Sequence, residues 1–401
     1  MNSPTAPQSH LMQTYARQPV AFSHGEGAWL WDTDGKKYLD ALAGIAVSGL
    51  GHNHPRLVKA IAEQAARVIH TSNLFRIPEQ EALADRLCEL SGMQEVFFCN
   101  SGAEANEAAI KLARYIGIKN GNPAPEIIVM ERAWHGRTIA TLAATDSPKA
   151  KQGFGELPGG FVRVPYRDFA AIEAAAASHP HVNAVLLEVL QGEGGVNMAE
   201  NEYLQRLRAL CDAKGWLLMI DEVQSGIGRT GTWFGYQHSG VKPDVVTLAK
   251  GLGSGVPIGA CLAAGPAAGV FTPGTHGTTF GGGPLVCAAA IATLQAMDEE
   301  GLLRNAAEMG AYIRAGMTRE LAGVAGVREI RGQGLMIGIE LLRPCGVLVA
   351  RALEKGLIMN VTRDSVVRLL PPLVLKRPDA DFLIATLAAL IKEFLSEPVS
   401  A

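Results

Sequence analysis

Short apolar runs alternate with helical patterns through the middle of this chain, and this alternation constrains the fold more than any other feature. Five predominantly apolar runs predict buried strands: residues 96–99, 126–130, 182–189, 216–220 and 245–248. Segments with apolar residues at helical spacing lie between them: residues 104–115, 169–177 and 203–214. Strands that alternate with helices in this way favour an α/β fold with a mostly parallel sheet covered by helices on both faces.

The two ends of the chain follow a different pattern. Residues 29–39 predict a short hairpin around Asp34-Gly35, whereas the part beyond about residue 290 mixes long helices with short strands such as 335–341. We therefore expect both ends to form one smaller α+β domain beside a large α/β domain. The predicted division into N-terminal segment, large domain and C-terminal part is 1–54, 55–285 and 286–401.

Charge and composition exclude several kinds of partner. Thirty-six basic and 39 acidic side chains give a net charge of −3, whereas nucleic-acid binding requires concentrated positive charge. The uncharged stretch 251–297 is interrupted by glycine and proline and cannot span a bilayer, and residues 1–10 lack the apolar core of a secretory signal. Six scattered cysteines without a CxxC pair favour free thiols. The chain is thus predicted to be cytoplasmic and to bind neither nucleic acid nor membranes.

The segment 100–106 is the first candidate for chemistry, because it follows a predicted strand and opens a predicted helix. Ser101 in that place is most simply a helix cap. The backbone N–H groups at the start of a helix, together with a hydroxyl, can also hold a phosphate. The segment matches neither the P-loop nor the glycine pattern of dinucleotide-binding folds. Both interpretations therefore stay open at this point.

Two charged residues also follow predicted strands. Asp221 ends the run that begins at 216, at the edge where ligands of open α/β sheets bind, although it could simply cap the next turn. Lys250 follows the strand 245–248, and a solvated lysine is the ordinary interpretation; in a desolvated site its pKa would fall and yield a neutral amine. An acid, an amine and a phosphate cradle together are what a pyridine-aldehyde cofactor requires.

Five motifs resemble, in order, those of the class III aminotransferases that depend on pyridoxal phosphate: residues 100–106, 191–195, 221–224, 250–251 and 276–280. The resemblance extends from about Trp29 to Pro372. It implies a fold-type I transferase with a large domain on a mostly parallel sheet, and a homodimer with composite active sites. The motifs at 43–47, 51–55 and 134–138 are close to those of the subgroup that acts on N2-acetylornithine.

The resemblance also implies how pyridoxal phosphate is bound. Lys250 would bind the cofactor covalently and transfer protons, and Asp221 would pair with the pyridinium nitrogen. The remaining implied contacts are Gln224 beside the ring hydroxyl, Trp134 and Val223 against the two ring faces, and Ser101, Gly102 and Ala103 on the phosphate, joined by Thr279 and Thr278 from a second subunit.

Five residues are implied in substrate binding. Arg137 would bind the carboxylate remote from the reacting amine, since arginine binds carboxylates bidentately. Arg368 would receive the α-carboxylate of glutamate, and Glu193 would cover Arg368 when the bound amine has no adjacent carboxylate; the alternative is a structural ion pair. Ile45 is apolar where ornithine aminotransferases commonly have tyrosine, which suits an acylated α-nitrogen. Tyr15 is expected near the acyl amide.

The implied reaction transfers the δ-amine of N2-acetylornithine to 2-oxoglutarate, giving N-acetylglutamate 5-semialdehyde and glutamate for arginine synthesis. Succinylornithine, ornithine, N-succinyl-diaminopimelate and 4-aminobutyrate are alternative substrates within the family. A nicotinamide-dependent redox enzyme is a second alternative, although the glycines at 251–255 do not match its pattern. A catalytically silent relative is a third, and the intact Lys250 argues against it. No metal site is expected, because His52 and His54 have no companion ligand at a suitable spacing.

Overall fold

The computed structural model describes residues 10–398. The segment 1–9, where no secretory signal is predicted, and the segment 399–401 lie outside the described residues. The strands formed by residues 10–398 are β1 Phe22–Glu26, β2 Trp29–Asp32, β3 Lys37–Asp40, β4 Glu95–Cys99, β5 Glu126–Met130, β6 Phe161–Val164, β7 Val182–Leu187, β8 Leu190–Gln191, β9 Asn197–Met198, β10 Leu217–Asp221, β11 Val245–Leu248, β12 Gly259–Ala263, β13 Val327–Gln333, β14 Met336–Leu341, β15 Leu357–Ile358, β16 Asn360–Thr362 and β17 Val366–Leu369. The helices are α1 Ala43–Ala46, α2 Pro55–Arg67, α3 Pro78–Ser91, α4 Gly102–Lys119, α5 Ile139–Ala144, α6 Pro148–Lys151, α7 Phe169–Ser178, α8 Asn201–Lys214, α9 Pro284–Glu299, α10 Leu302–Glu320, α11 Leu348–Glu354 and α12 Arg377–Ser396, with short 3-10 helices at Gly235–Ser239, Lys250–Leu252 and Gly265–Ala267.

The largest sheet has seven strands in the order β4-β12-β11-β10-β7-β5-β6. β10 pairs in parallel with both β7 and β11, so the carboxyl ends of these strands lie at one edge. All residues of β10 and β11 are buried, which explains why both strands are continuous apolar runs in the sequence. β12 alone among these seven strands is antiparallel to its neighbours, β11 and β4. The prediction of a mostly parallel sheet is confirmed.

β12 is the main element of this sheet that the sequence pattern does not predict. Its five residues are Gly-Ala-Cys-Leu-Ala, and they include none of the β-branched or aromatic side chains that usually mark a strand. The strand forms because its backbone completes the hydrogen bonding between β11 and β4. By contrast, β5 and β11 have the predicted bounds.

Two buried apolar clusters cover the opposite faces of the seven-stranded sheet. Alternate residues of β10 belong to different clusters: Leu218 and Ile220 to one, Leu217 and Met219 to the other. Successive side chains of a strand point to opposite faces, so this alternation follows from strand geometry. With both faces occupied by apolar side chains, the carboxyl edge of the sheet is left for polar groups.

The two chain ends share a sheet. β2 and β3 form the predicted hairpin, in which Trp29 pairs with Leu39 and Gly35 in the turn has a φ of 82°. β15 pairs in parallel with β3, which gives the order β1-β2-β3-β15. A second four-stranded sheet has the order β13-β14-β17-β16. The division of the chain at residues 54/55 and 285/286 stays a prediction.

The hydropathy of the helices and the state of the cysteines bear on the predicted environment of the chain. Among residues 10–398, no helix combines the length and the hydropathy that crossing a membrane requires. The six cysteines carry free thiols, and all but Cys88 are buried. They are packed as small apolar side chains within the fold.

Candidate active site

A cavity of about 470 Å³ lies at the carboxyl edge of the seven-stranded sheet. Its polar wall is formed by residues that directly follow β4, β7, β10 and β11, because the parallel strands end together there. Ten of the residues singled out in the sequence line this cavity: Ser101, Gly102, Ala103, Trp134, Arg137, Glu193, Asp221, Val223, Gln224 and Lys250. The structure thus brings together segments that are up to 149 residues apart in the chain (residues 101 and 250).

Asp221 is the buried anion of the cavity. Its Oδ2 accepts hydrogen bonds from Asn106 Nδ2 and His135 Nδ1, both at 2.8 Å, and its Oδ1 accepts one from the Val223 N–H at 3.0 Å. Asn106 is held in turn by Thr247, whose hydroxyl donates to Asn106 Oδ1 at 2.7 Å. A buried carboxylate is costly unless it is well hydrogen-bonded. This network keeps Asp221 oriented and supports its negative charge.

Lys250 supplies the amine. It lies directly after β11 and Ala249, and its φ of 42° is in the left-handed region that a non-glycine residue rarely adopts. Burial lowers the pKa of Lys250 below its ordinary value; the negative charge of Glu193 opposes this shift, and the positive charge of Arg368 adds to it. A lowered pKa increases the share of neutral amine, which is the nucleophilic and basic form.

The predicted phosphate cradle lies at the start of α4. Ser101 is the N-cap, and its side chain accepts a hydrogen bond from the Glu104 N–H at 3.2 Å. The first N–H groups of an 18-residue helix, beginning at Gly102, have no intrahelical acceptor, so they and the helix dipole favour an anion. Gly102 also touches Val223: a Cβ added to it would lie 2.6 Å from Val223 Cγ1. The cap by Ser101 is observed and leaves the first N–H groups of α4 available, so it is compatible with the phosphate cradle, which stays a prediction.

We expect Gly102→Ala to weaken binding of the expected cofactor, pyridoxal phosphate, by about 10-fold. An extra methyl group in a packed site forces shifts of its neighbours that typically cost about 1–3 kcal/mol. The added methyl collides with Val223, one of the predicted ring contacts. The dissociation constant is measured by titrating the apoprotein with the cofactor. In the matched double variant Gly102→Ala/Val223→Ala, binding should be no weaker than in Val223→Ala alone. An unchanged constant in Gly102→Ala would contradict this view of the cradle.

Arg368 is fully buried and lies beside the cavity, where it joins three side chains. Its Nη1 donates to Glu193 Oε1 at 2.6 Å and to Gln224 Oε1 at 3.2 Å, and its Nε donates to Asn360 Oδ1 at 3.2 Å. Its Nη2 has no hydrogen-bond partner among residues 10–398. The expected contact between Glu193 and Arg368 is therefore present. Gln224, expected beside the ring hydroxyl, is bonded to Arg368, and its role towards the ring stays a prediction.

Trp134 and Arg137 line the cavity and contact each other. The guanidinium carbon of Arg137 lies 4.9 Å from the centre of the Trp134 ring, within the range of a cation–π contact. Arg137 is exposed and has no ion pair with the described residues. Its charge is therefore free to bind a carboxylate that enters the cavity.

Besides Arg368, four predicted residues lie outside the cavity lining. Tyr15 is 70% exposed and contacts Arg17. Ile45 belongs to α1, whose residues 43–46 all have positive φ, so this turn is left-handed; Val47, two residues later, lines the cavity. Thr278 accepts a hydrogen bond from Asn100 Nδ2 at 3.3 Å, and Thr279 is exposed. The contacts expected of Tyr15, Ile45, Thr278 and Thr279 stay predictions.

Glu188 is a cavity residue that the sequence analysis missed. Its Oε1 accepts from the Trp134 N–H at 2.8 Å and its Oε2 from the Gly192 N–H at 3.1 Å. Burial and the nearby charge of Asp221 raise the pKa of Glu188 to about 7. In the structure Glu188 directly follows β7, but the sequence pattern placed it inside the predicted strand 182–189, which hid it. His135 and Asn106 lie inside the motifs 134–138 and 100–106, but no role was predicted for either residue.

These observations fit pyridoxal phosphate. The hydrogen-bonded anion Asp221 can hold a proton on a ring nitrogen, Lys250 offers an amine of lowered pKa, and the start of α4 offers N–H groups to a phosphate. Gly102 lets Val223, an expected ring contact, pack directly against the start of α4. Fold and site together define a transferase that depends on pyridoxal phosphate.

The chain belongs to the class-III aminotransferases, whose family model matches residues 12–391. It is 64% identical over 389 residues to acetylornithine aminotransferase 1 of Bordetella bronchiseptica, covering 97% of this chain and 99% of that protein. The crystal structure of ornithine aminotransferase from Toxoplasma gondii is similar with a TM-score of 0.93 and 35% identity, covering 97% and 94%. The N-acetylornithine aminotransferase of Stenotrophomonas maltophilia has a TM-score of 0.84 and 36% identity, covering 95% and 98%.

Proposed function

We propose that this aminotransferase converts N2-acetyl-L-ornithine and 2-oxoglutarate into N-acetyl-L-glutamate 5-semialdehyde and L-glutamate, a step of arginine synthesis. The observation that carries the proposal is the ion pair, 2.6 Å long, between Glu193, which lines the cavity together with Lys250 and Gln224, and the buried Arg368 behind it. In this pair the carboxylate of Glu193 can cover Arg368 or move aside, which leaves the arginine free to bind a substrate carboxylate. The names of the similar proteins from Bordetella and Stenotrophomonas support the acetylated substrate.

The chain's own residues have separate tasks in this reaction. When bound, pyridoxal phosphate supplies the aldehyde that takes up the amino group and a ring that accepts electrons from the substrate carbon. Lys250 moves the proton of the substrate carbon that bears the nitrogen, for which its lowered pKa suits it. Asp221, fixed by Asn106 and His135, holds the proton on the ring nitrogen. Arg137 binds the carboxylate remote from the reacting nitrogen.

The two substrates differ next to the reacting carbon. The δ-carbon of acetylornithine has no carboxylate beside it, whereas the reacting carbon of glutamate has one. With Glu193 on Arg368, the site presents a neutral pair to the first substrate. With Glu193 moved aside, Nη1 and the unpaired Nη2 of Arg368 can bind the α-carboxylate of the second. A charged but covered arginine thus allows one site to serve both half-reactions.

Substrate comparison tests this function most directly. With 2-oxoglutarate fixed, kcat/KM is measured for acetylornithine, succinylornithine, ornithine, N-succinyl-diaminopimelate and 4-aminobutyrate. Acetylornithine should give the highest value, because Ile45 offers no polar group to a free α-amine. A higher value for ornithine or 4-aminobutyrate would contradict the proposed substrate.

The assembly that fits this function is a homodimer with composite sites. An exposed apolar patch surrounds the loop that contains Thr279: Leu74 is 88%, Phe75 is 69% and Phe280 is 66% exposed. Asn73 Nδ2 donates to the carbonyl oxygens of Thr278 and Gly281, which joins the two segments into one surface. Large exposed apolar patches mark interaction surfaces. A second copy seated there would cover the patch and bring its Thr279 to the phosphate.

Complementation between two inactive variants tests the composite site. Lys250→Ala removes the amine of its own site, and Thr279→Asp places a negative charge beside the phosphate of the neighbouring site. Neither homodimer should be active, but a heterodimer of the two variants has one site with an intact lysine and an intact threonine. Two differently tagged chains are co-expressed and the mixed species purified; about half of the wild-type activity per dimer is expected. An inactive heterodimer would exclude shared sites.

The cellular location also belongs to the proposal. Six free thiols are compatible with a reducing compartment such as the cytoplasm, where acetylornithine and 2-oxoglutarate would meet the enzyme.

A further inference from the structure

β16 holds both members of the Glu193–Arg368 pair. Its first residue, Asn360, is the direct cross-strand partner of Arg368 on β17, and Asn360 Oδ1 accepts a hydrogen bond from Arg368 Nε at 3.2 Å. Its third residue, Thr362, donates from its hydroxyl to the Glu193 carbonyl oxygen at 2.6 Å. Residues two apart on a strand share a face, so one face of β16 contacts the arginine and the backbone of the loop that carries Glu193.

The bond from Nε decides the orientation of the guanidinium. Nε, Cζ, Nη1 and Nη2 of an arginine lie in one plane, so a hydrogen bond at Nε restrains the rotation of both Nη groups. Arginine has only donors, which means that Asn360 must present its oxygen to Nε. A bidentate grip on a carboxylate requires both Nη groups in the plane of the incoming oxygens.

We infer that Asn360 is a positioning residue for the α-carboxylate of glutamate and 2-oxoglutarate, and that it acts through Arg368. When Glu193 leaves Nη1, the bond from Nε to Asn360 stays and keeps the guanidinium in the plane in which Nη1 and Nη2 can both donate. Asn360 also carries no charge, whereas an aspartate in its place would neutralise Arg368 permanently and repel the substrate carboxylate. The inference rests on the proposed role of Arg368.

The test compares Asn360→Leu with the wild-type holoenzyme. Leucine has the same number and branching of side-chain heavy atoms but no acceptor for Nε. Glutarate is an unreactive dicarboxylate probe, and its affinity is measured by calorimetric titration. We expect this affinity to fall about 10-fold, because the variant loses a hydrogen bond to a charged group. KM for 2-oxoglutarate should rise by a similar factor, while the single-turnover rate with acetylornithine stays within about threefold. Val361→Ala, on the other face of β16, is the matched control and should leave glutarate binding unchanged.

The outcomes separate this inference from the proposed function. Unchanged glutarate affinity in Asn360→Leu, or equal losses in both half-reactions, would overturn the positioning role. The variant Arg368→Ala is measured in parallel: if it impairs glutamate selectively while Asn360→Leu does not, only the inference about Asn360 fails. If Arg368→Ala impairs both half-reactions equally, the proposed role of the Glu193–Arg368 pair is itself wrong.

Discussion

Lys250→Ala should reduce transamination by about 10³-fold or more, the largest effect expected from any single substitution in this chain. The variant loses the amine that binds the cofactor and the group that moves the proton of the substrate carbon. Steady-state rates with acetylornithine and 2-oxoglutarate measure the loss, and unchanged thermal unfolding shows that the fold is intact. Rates near those of the wild type would mean that Lys250 is not the catalytic base.

Two other lysine variants make this result specific. Lys250→Arg keeps a positive charge, but a guanidinium does not release its proton at neutral pH and should be almost as inactive as alanine. Lys242 is exposed and distant from the cavity lining, so Lys242→Ala should retain full activity. A silent relative with only a binding role would show no difference among these three variants.

Arg368→Ala should produce the second largest effect, and this effect should be confined to one half-reaction. Removing a buried charged partner of a carboxylate costs about 2–4 kcal/mol, which corresponds to roughly 30- to 1,000-fold in kcat/KM for glutamate or 2-oxoglutarate. The acetylornithine half-reaction makes no use of that arginine and should lose much less. Single-turnover experiments measure each half-reaction separately.

Variants of Arg137 and Glu193 are compared with Arg368→Ala, because the three should affect the two half-reactions in different ways. Arg137→Ala should impair both half-reactions, because both substrates have a carboxylate remote from the reacting nitrogen. Glu193→Gln should impair the acetylornithine half-reaction and spare the glutamate half-reaction, since it leaves Arg368 uncovered. Because Arg368 is fully buried, Arg368→Lys is measured as a second variant that keeps the charge. Equal losses in both half-reactions for Arg368→Ala and Arg368→Lys would contradict the alternating cover.

The central part of the fold could be predicted from the sequence because local pattern and burial coincide there. β5 and β11 are apolar throughout and lie inside a covered parallel sheet. The left-handed turn at 43–46 could not be predicted, since positive φ at Ala43, Ile45 and Ala46 is unfavourable locally. It is supported by Asp40, whose Oδ1 accepts from the Ala43 N–H and whose Oδ2 is in turn held by His52 Nε2 at 2.9 Å, twelve residues along the chain.

The site residues also fall into those that the local sequence predicts and those that it does not. Asp221, Lys250 and the start of α4 could be predicted because each comes just after a predicted apolar run, whereas Glu188 lies inside the predicted run 182–189. The partners of Arg368 could not be read from local sequence: Glu193 is 175 residues away and Gln224 is 144 residues away. Only the resemblance pointed to Glu193. The contacts of Asn360 and Thr362 depend on the pairing of β16 with β17, which short strands of this kind do not reveal in the sequence.

Chemical trapping of the cofactor tests the central claim most directly. The purified protein is incubated with pyridoxal phosphate, its visible absorption is recorded, the adduct is reduced with borohydride, and the modified peptide is sequenced by mass spectrometry. We expect a visible band that disappears on reduction, and a stable modification on Lys250. A colourless protein after incubation, or a modification on a different lysine, would contradict it.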